Sequence, residues 1–108
     1  MYRKYKPKNE FRYNYDSKHP NYIFGESKNK YKSLGITHKE FTFNKKNMPL
    51  KYNPNKLNNS KAYIRHGVIT TKKSNYSKKL KNYSFADCDY KNVKSKIRNY
   101  KKQNRKFW

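Results

Sequence analysis

The chain has 108 residues, room for a single domain, and a hydrophobic content of 32% that leaves only a thin aliphatic core. It carries 29 Lys and Arg against 6 Asp and Glu, a formal net charge of +23, and self-repulsion on that scale calls for a polyanionic partner. One cysteine, Cys88, excludes an internal disulfide framework and a cysteine metal cluster, and no apolar run is long enough for a transmembrane helix.

Low hydrophobicity with high charge is the usual signature of disorder. Here 12 Tyr, 6 Phe and 1 Trp supply apolar area instead, and an ordered core is expected. An AT-rich coding bias explains Lys over Arg but not the scarcity of Asp and Glu. Nucleic acid is the expected polyanion, RNA before DNA, since every phosphate contact releases counterions. An acidic protein surface answers the charge as well. No membrane partner is expected. The opening residues lack the apolar stretch of a signal peptide, and with a single cysteine the expected location is cytoplasmic.

Residues 1–15 read as a basic aromatic arm. Its Arg3, Lys4, Tyr5, Arg12 and Tyr13 interleave cations with rings, the composition that stacks on bases and holds phosphates. A single domain is expected over 16–102. After Lys18, His19 and Pro20 comes a β-hairpin. Tyr22–Phe24 form its first strand, the Gly, Ser and Asn of "GESKNK" its turn, and Tyr31–Thr37 its second strand. Leu34 and Ile36 alternate there with Ser33, Gly35 and Thr37, the period of a half-buried strand.

A long polar connection with Pro49 and Pro54 follows, with a short edge strand expected around Leu50–Tyr52. "KAYIRHGVITTKK" is the next strand region. Ala62, Ile64 and Val68 share one face, Tyr63, Arg65 and Ile69 the other, and Gly67 marks a bulge or bend. "SNYSKKLKNYSF" reads as loop or short strand. From Asp87 the period changes: Tyr90, Val93, Ile97 and Tyr100 form one helical face. Ser84 or Asp87 is the expected cap, and Asp87 and Asp89 suit the positive helix start. Lys91, Lys94, Lys96, Arg98 and Lys101 form a basic stripe opposite. Residues 103–108 read as a tail. The fold class is therefore α+β: a small antiparallel sheet or partly open barrel with one C-terminal helix and a basic flexible N-terminal arm.

His19, His38 and His66 are widely spread and the acids are scattered, so no metal site and no cofactor are expected. What remains is metal-independent chemistry on RNA. The 2′-hydroxyl attacks, and the protein supplies a base, a cation for the phosphorane and an acid for the leaving oxygen. Thr37 and His38 end one strand, and Arg65 and His66 lie on another. Thr37, His38 and Arg65 are the candidate catalytic residues. Lys18, His66, Lys72, Lys73, Lys91, Lys94, Arg98 and Lys101 join the arm as candidate nucleic-acid contacts.

Residues 18–100 resemble the PemK/MazF-like endoribonuclease toxins. Lys18-His19-Pro20 is similar to the basic residue and proline before that family's apolar strand, with His19 standing where the family has arginine. Thr37 matches its hydroxyl position, "SKAYIRHGVIT" its later strand, and "DYKNVKSKI" its C-terminal helix. The resemblance implies a small barrel ribonuclease and an antitoxin partner, either RNA or an acidic protein. It implies Thr37 as a phosphate or 2′-hydroxyl contact, His38 as base and Arg65 as phosphate clamp. The alternative is a non-catalytic RNA- or DNA-binding protein, ribosome-associated or encoded on a mobile element and inhibiting a nucleoprotein complex.

Overall fold

The computed structural model describes residues 6–103, so Arg3, Lys4, Tyr5 and all of the expected tail but Gln103 lie outside the described residues. Six strands form one antiparallel sheet: β1 Phe11–Asn14, β2 His19–Glu26, β3 Lys30–Thr37, β6 Met48–Pro49, β7 Tyr63–Lys72 and β8 Tyr76–Lys79. Their order is β6-β7-β3-β2-β1-β8, and the sheet does not close into a barrel. A separate two-stranded ribbon pairs β4 Phe41–Thr42 with β5 Lys45–Lys46. The α-helix α1 runs from Asp87 to Gln103. The α+β class expected from the sequence is the fold, in its open-sheet form. No helix among the described residues is long and apolar enough to cross a membrane.

Alternation along the strands sends Phe11, Tyr22, Phe24, Leu34, Ile36 and Ile64 to one face. There they meet Phe85 and the Val93 and Ile97 stripe of α1, all buried. Rings do much of the filling: Phe85 packs edge-on at 4.9 Å against both Phe11 and Tyr22. Such a pair adds about 1 kcal/mol beyond its buried area, which offsets the shortage of aliphatic side chains. The Tyr22 and Tyr90 hydroxyls both donate to the Lys6 carbonyl, at 2.7 and 2.6 Å. Burial raises the Tyr22 pKa far above its ordinary value, so this donor keeps its proton.

The opposite face holds a buried polar network. The Tyr76 hydroxyl meets Ser33 Oγ at 2.7 Å. The Asn21 amide, turned so that its oxygen faces the donors, accepts from Ser33 at 2.9 Å and from Asn14 Nδ2 at 3.1 Å. Tyr76 reaches Ser33 although β1 and β2 lie between their strands, so the sheet curls over this side. Asn14, Asn21 and Ser33 are buried at 1%, 0% and 0% exposure, and their mutual bonds offset the cost of removing them from water.

Several expectations change. The arm was expected to run through residue 15, yet Phe11–Asn14 is an interior strand of the sheet, paired with β2 and β8. A four-residue strand shows only two residues per face, and the polar face filled by Arg12 and Asn14 reads as solvent-facing. The edge strand falls at Met48–Pro49 rather than Leu50–Tyr52, with its proline on the sheet edge as expected. Pro20 lies inside β2 rather than before it. At the helix start the first bond runs from the Tyr90 amide to the Ala86 carbonyl. Asp87 pairs instead with Lys8 at 2.6 Å. Asp89 turns inward, and its carboxylate accepts the Lys51 and Tyr52 amides at 2.9 and 3.0 Å. The bend at Gly67 is present: Leu34 pairs Val68 and Ile36 pairs Ile64, so Arg65, His66 and Gly67 together oppose Gly35.

Candidate nucleic-acid interface

Strand register brings the ends of β2, β3 and β7 together. Thr37 pairs with Tyr63, and His19 starts β2 two residues before Asn21, the partner of Gly35. Glycine at position 35 matters because a Cβ there would come within 3.2 Å of Arg65 Cδ. Its absence lets the Arg65 stem lie against the sheet. The result is a cluster of His19, His38, Lys39 and Arg65.

The His19 pKa is lowered from its ordinary value. Burial is the largest cause, followed by the charges of Arg65, His38 and Lys39, with a hydrogen bond to the Ile36 backbone acting the other way. His19 is therefore held neutral near pH 7. The ring of His38 is oriented by a 2.9 Å contact from Nδ1 to the Lys61 carbonyl. A carbonyl only accepts, so Nδ1 carries the proton and Nε2 points away from this bond. Both histidines line a small cavity of about 70 Å³ with Asn53, Asn55 and Asn58. Thr37 is buried, and its hydroxyl accepts the Lys39 amide at 3.2 Å.

The other nucleic-acid candidates separate. Arg12 donates to the Ser77 carbonyl at 2.9 Å and stacks over Tyr31. Lys73 covers the same ring and pairs with Glu26 at 2.7 Å. Tyr13 packs edge-on against Tyr15. Lys18 is exposed in the β1–β2 turn with φ of 60°, and Lys72 is exposed at the end of β7. His66 is not with the catalytic candidates. Its Nε2–H donates to the Thr42 carbonyl at 3.2 Å, and its amide donates to Asn47 Oδ1.

At 3.6 residues per turn, Lys91, Lys94, Arg98 and Lys101 follow one stripe of α1 beside its apolar face. Lys91 and Arg98 are exposed, while Lys94 covers the Tyr90 ring at 4.7 Å. Lys96 leaves that stripe and donates to the His66 carbonyl at 3.3 Å, and burial lowers its pKa. It lines a cavity of about 770 Å³ between β7 and α1, floored by Phe24, Leu34 and Ile97.

Three features went unread in the sequence. His19 was one of three scattered histidines until pairing brought it to Arg65 and His38. Lys39 is contributed by the turn after β3. The ribbon tip at Phe43 carries no apolar periodicity. Among the described residues no three His, Cys, Asp or Glu side chains come together as a metal site. No family model, curated protein or solved structure matches the chain.

Proposed function

We propose that the protein binds RNA through its basic surface. The observation that carries this reading is the fate of the acids. Asp89 is spent on backbone amides. Glu26 pairs with Lys6 and Lys73, Asp87 with Lys8, and Glu10 with Lys79. The six acids cannot neutralise 29 cations, and a phosphate backbone can. The test is an electrophoretic shift of labelled single-stranded RNA over a series of salt concentrations, in EDTA. Log affinity should fall steeply with log salt, and Lys91→Ala or Arg98→Ala should each reduce the slope by about one unit. A flat salt dependence refutes the reading.

A second reading, metal-independent cleavage of the bound RNA, is favoured by the pairing of a neutral His19 with an oriented His38 beside Arg65. In that chemistry His19 takes the 2′-hydroxyl proton and the 2′-oxygen attacks the adjacent phosphorus. Arg65 and Lys39 hold the phosphorane charge. His38, protonated, donates from Nε2 to the departing 5′-oxygen, leaving a 2′,3′-cyclic phosphate. The base role moves from His38 to His19 because burial and the neighbouring cations lower the His19 pKa. Cleavage in EDTA, abolished by His19→Ala and by His38→Ala with binding retained, supports this reading and the toxin assignment that depends on it. RNA left intact under tight binding supports the non-catalytic alternative.

A further inference from the structure

The ribbon β4–β5 ends in a two-residue turn in which Phe43 and Asn44 have φ of 52° and 64°. Two-residue hairpins of this kind need positive φ at both central positions, and Asn-Gly is the sequence that meets the need without strain. Asn44 tolerates the left-handed region, whereas Phe43 is there against its steric preference. Its ring makes no use of the protein interior: Phe43 is 86% exposed, and Phe41 on the same ribbon is 54% exposed. A strained backbone that displays a large apolar ring to water points outward for its reason.

The ribbon is also firmly held. Asn47, 1% exposed, donates from Nδ2 to the Lys39 carbonyl at 3.0 Å and to Thr42 Oγ1 at 2.8 Å. Its Oδ1 accepts the His66 amide at 3.0 Å and its own amide bonds the Glu40 carbonyl at 2.8 Å. The His66 ring adds a bond to the Thr42 carbonyl. One buried asparagine thus locks both ends of the ribbon to β7 and fixes where its tip projects.

We propose that this ribbon is a stacking finger for single-stranded RNA. Phe43 lies on the face of an unpaired base, while Lys39, Lys45 and Lys46 contact the phosphates beside it. The proposal rests on the RNA-binding reading and adds the strand state of the ligand and the residue that senses it. Lys45 and Lys46 form the second strand of the ribbon, and Lys39 lies in the short segment that joins His38 to its first. Two rings are little apolar area for a bilayer to hold, whereas base stacking needs only one ring per base and is indifferent to base identity.

The test compares the whole protein with Phe43→Asn, Phe43→Trp and Lys45→Ala/Lys46→Ala. Asparagine accepts the left-handed turn, so Phe43→Asn should melt at or above the wild-type temperature. Its affinity for single-stranded oligoribonucleotides should nonetheless drop by about fivefold or more. Affinity for duplex RNA of equal charge should change little. Phe43→Trp should restore single-strand binding and quench a 2-aminopurine placed in the oligonucleotide. Lys45→Ala/Lys46→Ala combined with Phe43→Trp should lower the salt slope and leave that quenching in place at saturation. Equal single-strand affinity of Phe43→Asn and wild type overturns the finger while the RNA-binding reading stands. Wild type that ignores every oligonucleotide at low salt overturns both. Wild type that binds phosphatidylserine vesicles but not single-stranded RNA overturns the finger in favour of a membrane contact.

Discussion

Asp89 offers the sharpest test of how the histidine cluster is walled. It sits in the first turn of α1 at 3% exposure. Its two oxygens hold the amides of Lys51 and Tyr52, 38 and 37 residues away in sequence. Those amides begin the 51–60 segment, which supplies Asn53, Asn55 and Asn58 to the cavity shared by His19 and His38. Asp89→Ala removes two charge-assisted bonds and leaves two donors without an acceptor. A bond to a charged group contributes about 1.5–3 kcal/mol, and an orphaned buried donor costs a comparable amount. The sites are only partly buried, so the total expected loss is about 3 kcal/mol. Asp89→Asn keeps one acceptor but aims an amide nitrogen at the second donor, and should lose about 2 kcal/mol. Urea unfolding followed by circular dichroism gives both values, and hydrogen exchange should quicken over 51–60 ahead of the rest of the chain. A loss below about 0.5 kcal/mol for Asp89→Ala, the size of an ordinary surface substitution, would refute the claim that this carboxylate holds the segment in place.

Tyr76→Phe removes the hydroxyl on Ser33 while sparing the ring that packs on Tyr31, and should cost about 1 kcal/mol in urea unfolding. Glu26→Gln breaks the pairs with Lys6 and Lys73. These groups are about a third exposed, so solvent screening limits the loss to about 1 kcal/mol, fading in high salt. The two lysines depress the Glu26 pKa from 4.5 to about 2. Its contribution is therefore present above pH 4.5 and lost as pH falls toward 2, and Glu26→Gln should flatten thermal stability over that window. His19 has the same sign for a different reason. Its folded pKa lies below 6.5, so the unfolded chain binds the extra proton and stability declines as pH drops below 6.5. Melting curves of His19→Asn should lack that decline.

The legible parts of the fold are those with a repeated signal. Helix α1 runs 17 residues, long enough for Tyr90, Val93, Ile97 and Tyr100 to show the period. Strand β3 alternates cleanly over Leu34 to Thr37. Strand β1 is too short to show a period, and its polar face hides Asn14 and Arg12 as if in solvent. The ribbon was missed for a related reason, since Phe-Asn is not a turn sequence that propensity favours. Thr37, His38 and Arg65 were legible as polar groups at strand ends. Their convergence with His19 depends on a register and a bulge that no local pattern encodes. The sense of Asp89 was equally hidden: a carboxylate in a first helical turn reads as a dipole partner, and only tertiary packing aims it at amides 37 residues away.

The two faces of the sheet explain why so cationic a chain folds without using its cations as the main glue. One face is closed by rings and a few aliphatic side chains. The other is closed by neutral hydrogen bonds among Asn14, Asn21, Ser33 and Tyr76. Among the described residues the ion pairs lie outside both cores, so neither core explains the excess of lysine. Part of that excess lies over tyrosine rings, as at Tyr31, Tyr63 and Tyr90. Each such contact is worth only about 0.5–1 kcal/mol at an exposed site. A coding bias toward Lys, Asn and Tyr accounts for the abundance of these residues but leaves the six acids unexplained. Added carboxylates would have lowered the self-repulsion of the folded state at no cost to either core. Their scarcity leaves a self-repulsion that works against the compact state, and the RNA-binding proposal is the reading under which that charge has a use.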